Sequence, residues 1–160
     1  MISSLLGRSS EKRLLSQAAR LTRYLSQKGI KIQWHQNQDG VEAVPNILLA
    51  PFADSIGVTW DDKTIHAVRK HEWPYFLHEA GHLLWGMEKE EAFLPWEFAV
   101  CKHLRLPMTV WCDYSEDYQV GWKCGPYNWV TVYDLSRQPR EWRMFKKAKL
   151  EEAKEKGMGP

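Results

Sequence analysis

One stretch of 14 residues, WPYFLHEAGHLLWG at positions 73–86, constrains the fold more than any other part of the chain. Pro74 suits the first turn of a helix, because the N–H that proline lacks would have no intrahelical partner there. Gly86 supplies a stop, since glycine tolerates the left-handed conformation in which many helices end. Four apolar residues follow helical spacing and predict one stripe that faces a core: Phe76, Ala80, Leu83 and Met87.

The same stretch carries a histidine pair. His78 and His82 are one helical turn apart, so both imidazoles can bind one ion, and Glu79 lies beside them. This His-Glu-x-x-His pattern is typical of zinc hydrolases, in which zinc lowers the pKa of a bound water to roughly 7 and the glutamate takes its proton. Gly81 predicts a close approach by another chain or a ligand. The alternative is an amphipathic helix with two surface histidines and an ordinary glutamate.

A second helix is predicted from Pro95 to about residue 106, where Pro107 ends it. Glu97 shares one face of this helix with Val100, Cys101 and Leu104. A carboxylate on an otherwise apolar face needs a partner, and a metal ion would supply one. Glu97 is therefore the first choice for a third zinc ligand. The alternatives, in order, are Glu91, Glu90, His103 and Asp113.

Upstream of the motif the pattern predicts one helix and a small sheet. The helix is capped by Ser9 or Ser10, runs to about Lys28 and stops at Gly29. Residues 30–35 alternate like a strand, 36–40 form a polar turn, and 46–50 form a short apolar strand. Residues 55–60 and 64–68 predict a hairpin that leads into Pro74. An edge of this sheet is a candidate for binding substrate as an added strand.

Downstream, residues 108–134 are rich in tryptophan and tyrosine and predict short strands in which most aromatics pack. A tyrosine there is a candidate donor to the oxyanion of a tetrahedral intermediate. Ser136 is predicted to cap a last helix that has Pro139 in its first turn. Residues 154–160 are expected to fray.

Composition favours one domain over residues 1–160, because this length supports a real core. Residues 1–7 are too short and polar for a signal peptide, and no run is long and apolar enough for a membrane span. Cys101, Cys112 and Cys124 are odd in number and lack a Cys-x-x-Cys pair, which favours reduced thiols and a cytoplasmic location.

Charge is uneven along the chain. The net charge is +6 over residues 1–31, −8 over 32–135 and +4 over 136–160. Basic ends of this kind permit weak, non-specific contact with nucleic acid, or contact with an acidic partner, although two solvated basic helix faces are the favoured explanation.

The order of these features resembles the ImmA/IrrE-type metallopeptidases and, more broadly, the gluzincins, over roughly residues 10–110. The resemblance rests on the histidine motif and on the later run from Glu97 to Pro107. It implies an α+β, zincin-like minimal metallopeptidase domain. Such a domain comprises an N-terminal helix, a small mixed sheet, the motif helix, a glutamate helix, an aromatic-rich β segment and a C-terminal helix. It also implies that His78, His82 and Glu97 bind Zn²⁺ and that Glu79 is the general base. The helix-turn-helix module often fused to such peptidases is not evident.

Two classes of function follow. The first is a zinc-dependent peptidase that hydrolyses peptide bonds in a protein or peptide substrate. The second is a non-catalytic binding or regulatory protein on a zincin scaffold. A DNA-associated SprT-like protease is a further alternative, given the basic ends. The metzincin pattern does not fit, because Trp85 and Glu88 occupy the positions of its glycine and third histidine.

Overall fold

The structure is a computed structural model that describes residues 2–50, 55–86, 92–111, 129–131 and 139–160. Helices and strands are mixed, so the α+β class predicted from the sequence is confirmed. The backbone forms two compact units, Met1–Ala80 and Gly81–Pro160, and the boundary between them falls inside one continuous helix. The assignment of one domain to the whole chain stays a prediction.

Helix α1, Ile2–Gln27, opens the first unit. It begins well before the expected cap at Ser9 or Ser10, because the apolar and polar residues that precede these serines continue the helix. Its end agrees with the sequence. Gly29 has a φ of 81°, and the N–H of Ile30 bonds the carbonyl of Leu25 at 2.9 Å. Glycine adopts this left-handed conformation without the steric cost that a Cβ brings.

Four strands form the sheet of this unit: β1 Lys31–Trp34, β2 Leu48–Leu49, β3 Ile56–Thr59 and β4 Thr64–Ala67. Their order is β1-β4-β3-β2, with β1 parallel to β4 and the other pairs antiparallel. The predicted hairpin is thus confirmed as β3 and β4. The predicted strand at 46–50 is reduced to two residues, because Asn46 has a φ of 61° and bends the chain.

The polar turn predicted at 36–40 is wrong. A short helix, α2 Gln38–Glu42, begins there instead. Asn37 is its N-cap, since its side-chain Oδ1 accepts the N–H of Gly40 at 3.0 Å. Val41 is fully buried, which gives this short helix an anchor on the body of the unit. The polar residues that suggested a turn are therefore its cap and its exposed face.

One face of the sheet is apolar and supports the first unit's core. Ile56, Val58, Ile65 and Ala67 share this face by strand alternation and are buried. Trp34 at the end of β1 meets Phe76 edge to face, with ring centroids 5.4 Å apart. A 3₁₀ turn, Lys70–Glu72, then leads from β4 into helix α3, Trp73–Trp85.

The second unit contains the end of α3, helix α4 Leu94–Leu104, strands β5 Thr109–Trp111 and β6 Trp129–Thr131, and helix α5 Pro139–Glu155. β5 and β6 pair antiparallel. α4 packs against α5, where Phe98 and Phe145 meet edge to face at 5.8 Å. α4 ends two residues earlier than predicted, because Arg105 turns left-handed with a φ of 57° before Pro107 is reached.

The end of the second unit is ordered by a cap, so the expected fraying from Lys154 is wrong. Gly157 has a φ of 68°, and the N–H of Met158 bonds the carbonyl of Ala153 at 2.8 Å. Ala153 and Met158 are both buried. A hydrophobic contact across a glycine-ended helix terminus commonly accompanies such a cap. Pro139 begins α5 as predicted, whereas the Ser136 cap and most of the aromatic segment lie outside the described residues.

Candidate functional site

Helix α3 is fixed at its beginning by buried polar contacts. The indole Nε1 of Trp73 donates to Oε1 of Gln17 on α1 at 3.0 Å. In the preceding turn, buried Glu72 accepts from the Ser55 hydroxyl at 3.3 Å and from Arg69 at 3.3 Å. Buried carboxylates need such partners, because losing hydration is otherwise costly. The start of the motif helix therefore has a defined position in the first unit.

The motif residues are buried on this helix. His78 is 3% exposed, Glu79 8% and His82 7%. The sequence pattern allowed for two surface histidines on an amphipathic helix, and the burial contradicts that alternative. The predicted apolar stripe is confirmed for Phe76, Ala80 and Leu83, while Met87 lies outside the described residues. α3 is thus enclosed on its polar and its apolar side alike.

His82 has an orientation that bears on its chemistry. Its Nδ1 lies 3.2 Å from the backbone carbonyl oxygen of Gly86, one turn further along. A carbonyl can only accept, so the Nδ1 of His82 carries the proton and its Nε2 keeps the lone pair. Metal-binding histidines are commonly oriented in this way, with the other ring nitrogen donating to a backbone carbonyl. Gly86 can end the helix because its φ is 102°.

Phe93 packs directly on this part of α3. Its ring meets the His82 imidazole edge to face, with centroids 4.9 Å apart and planes at 74°. A Cβ built on Gly81 would overlap the same ring. The close approach that Gly81 predicted is therefore made by Phe93 of the same chain, not by a ligand or another chain. Sequence reasoning missed Phe93, because nothing local links it to position 81.

Glu97 lies in the first turn of α4 and is 5% exposed. All residues from Leu94 to Cys101 are buried, so α4 is enclosed more widely than the single apolar face predicted. Burial, and after it the negative charge of Glu97, raises the pKa of the Cys101 thiol. Glu97 and Cys101 therefore share a side of α4, as the sequence indicated, and Cys101 stays an unreactive thiol at neutral pH.

The other candidates for a third ligand differ in where they lie. His103 is exposed on α4. Glu90, Glu91 and Asp113 lie outside the described residues, as do Cys112 and Cys124. Across the part of the chain that is described, no group of three or more His, Cys, Asp or Glu side chains is placed to hold a metal ion. The set of His78, His82 and Glu97 accordingly stays a prediction.

Comparison with protein-family models, with curated proteins and with solved structures finds no match for this chain. None of the helices in the described ranges is long and apolar enough to cross a membrane.

Proposed function

We propose that this chain is a zinc-dependent peptidase in which His78, His82 and Glu97 bind the metal and Glu79 is the general base. The observation that supports this most is the orientation of His82. Its Nδ1 faces the Gly86 carbonyl at 3.2 Å, so its Nε2 is the nitrogen able to coordinate.

The chemistry of the donor set fits zinc. Two neutral imidazoles and one carboxylate are a common catalytic set, and they leave a fourth position for water or substrate. When bound, zinc supplies a Lewis acid that lowers the pKa of water to roughly 7 and polarises a peptide carbonyl.

In this proposal Glu79 moves the proton. One oxygen of its carboxylate accepts a proton from the attacking water, and the same oxygen returns it to the leaving nitrogen. Glu79 directly follows His78, which keeps it near the metal without making it a ligand. Its burial, at 8% exposure, limits competition from bulk water. A glutamine at this position would keep the shape and lose the basic oxygen.

The basic ends support at most a weak contact with nucleic acid. Towards the end of α5, Lys149 and Lys156 both bond Glu152, at 3.3 and 2.7 Å. Lysines that are already paired with carboxylates neutralise fewer nucleic-acid phosphates and so displace fewer of the counterions bound there. We therefore place the peptide, not nucleic acid, as the substrate. Binding to duplex DNA should be weak and should fall steeply with salt, as fluorescence anisotropy at rising salt would measure.

The test of the enzyme proposal is Glu79→Gln, with Glu155→Gln on the exposed end of α5 as the matched control. General-base catalysis contributes roughly 10²–10⁴-fold, so Glu79→Gln should lose nearly all proteolysis while Glu155→Gln keeps it. Because the substrate is not specified, the measurement is the set of new protein termini that each variant produces in a cell lysate. If wild type with bound zinc produces no terminus that Glu79→Gln fails to produce, the enzyme proposal is wrong, and the non-catalytic binding function takes its place.

A further inference from the structure

A line of hydrogen-bonded side chains crosses the sheet of the first unit, apart from α3. His35 Nε2 lies 2.9 Å from Nδ1 of His66, and Nε2 of His66 lies 3.0 Å from the Thr59 hydroxyl. That hydroxyl donates to the carboxylate of Asp62. His66 is only 3% exposed, and Asp62 at the far end is exposed. Two histidines thus meet 31 positions apart in sequence.

The hydrogen bonds in this line can run in only one direction. The Thr59 hydroxyl holds the pKa of Asp62 below its ordinary value, so this carboxylate is ionised and only accepts. Thr59 has one proton and spends it on Asp62, so the Nε2–H of His66 must donate to the Thr59 oxygen. A neutral imidazole has one N–H, and Nδ1 of His66 is then an acceptor. It follows that His35 donates from Nε2.

The His35–His66 bond adds a side-chain tie at the point where β1 ends and the chain turns into α2. β1 is an edge strand and pairs only with β4. His35 follows β1 directly, and its backbone N–H bonds the Ala67 carbonyl at 2.8 Å. α2 begins three residues later, and a Cβ on Gly40 of α2 would lie 3.4 Å from His35 Nδ1. The bond therefore ties the end of β1 and the start of α2 to β4.

We propose that the His35–His66 pair is an acid-sensitive clasp that holds the end of β1 and the start of α2 to strand β4. At neutral pH the Nδ1 of His66 accepts and the clasp is closed. A proton on that nitrogen turns the acceptor into a second donor, which faces the N–H of His35. The hydrogen bond is then lost and two N–H groups face each other, so acid opens the clasp.

The direction of the pH effect follows from the surroundings of His66. Burial, and after it the charge of His35, lowers the pKa of His66 below 6.5, against a smaller opposing effect of Asp62. The unfolded chain therefore takes up this proton near pH 6.5, before the folded chain does, and stability is lost as the pH falls below that value. The remaining charged groups on the elements around the pair are exposed: Lys31 on β1, Asp61 and Lys63 in the hairpin turn, and Asp39 and Glu42 on α2.

The experiment compares urea unfolding of the full chain between pH 8 and pH 5 for wild type, His66→Gln and His103→Gln. Glutamine can donate to Thr59 and accept from His35, but it does not titrate in this range. Below pH 6.5 the proton on position 66 contributes up to about tenfold per pH unit to the unfolding constant. His66→Gln should lose that part of the slope, and His103→Gln, an exposed histidine on α4, should keep it. An unchanged slope in His66→Gln would overturn the clasp.

A second measurement needs no substitution. Long-range ¹⁵N–¹H correlation spectra of wild type at pH 7.5 report which nitrogen of each imidazole carries the proton. The proposal requires Nε2–H at His66 and at His35. Hydrogen exchange should then become several-fold faster at residues 35–44 between pH 7.5 and pH 5.5, after correction for intrinsic rates, and stay level at β3. A proton on Nδ1 of His66 at pH 7.5, or equal changes in both segments, would contradict the proposal.

Discussion

Two pairs of histidines in this chain have opposite chemistry. His78 and His82 lie one turn apart on α3, whereas His35 and His66 meet across neighbouring strands. In the helix, the backbone carbonyl of Gly86 accepts a hydrogen bond from Nδ1 of His82. The lone pair of His82 is then on Nε2. Across the strands, the lone pair of His66 is used by His35 itself. A neutral histidine that accepts from its neighbour has no lone pair to give a metal, so His66 cannot bind one while it accepts from His35.

The two pairs also differ in the contacts that hold their side chains in position. Phe93 packs against His82 and against Gly81 next to it on the helix. The strand pair depends instead on one hydroxyl, since Thr59 decides which nitrogen of His66 carries the proton. Packing therefore dominates in one region and a hydrogen bond in the other. Substitutions at Phe93, Gly81 and Thr59, with the free energy of unfolding measured in urea, test this difference.

The largest effect is expected at Phe93. Its ring is almost fully buried, so Phe93→Ala should destabilise the chain by about 3–5 kcal/mol through lost transfer energy and a cavity. Phe93→Leu, which refills most of the volume, is the control and should cost far less. A loss below about 1 kcal/mol in Phe93→Ala would mean that the ring does not support the helix.

Gly81→Ala should have an intermediate effect. The added Cβ would overlap the Phe93 ring, and overpacking of this kind costs about 1–3 kcal/mol. The double variant with Phe93→Leu should recover much of the loss, because the smaller side chain makes room. Additive losses in the double variant would show that the two positions do not meet.

Thr59→Val should have the smallest effect of the three. Valine keeps the shape and removes the hydroxyl, so the hydrogen bonds to His66 and to exposed Asp62 are both lost, at a cost of about 1 kcal/mol in all. Thr59→Ser keeps the hydroxyl and should stay near wild type. If Thr59→Val is neutral at pH 7.5, the hydroxyl does not fix the tautomer of His66.

The sequence predicted the parts of this structure that depend on neighbours along the chain. The hairpin of β3 and β4 follows from a polar turn between alternating runs, and Gly29 and Gly86 end their helices by taking positive φ. The histidine spacing on α3 is of the same kind. Each of these needs only a few adjacent residues to be recognised.

The remainder could not be predicted, because it depends on contacts between distant residues. The parallel pairing of β1 with β4 brings His35 to His66, and no local pattern reports that register. Phe93 against Gly81 is a second case, and the buried Met158 that orders the end of α5 is a third. α2 was missed for another reason, since the Asn37 cap and a turn use the same residue types.

Zinc content tests the proposal that His78 and His82, and not His35 and His66, bind a metal. Wild type, His82→Gln and His66→Gln would be purified identically, loaded with zinc, desalted and measured by mass spectrometry, with circular dichroism to confirm folding. We expect about one zinc per chain in wild type and in His66→Gln, and almost none in His82→Gln. Full zinc in a folded His82→Gln, or equal loss in both variants, would contradict the claim.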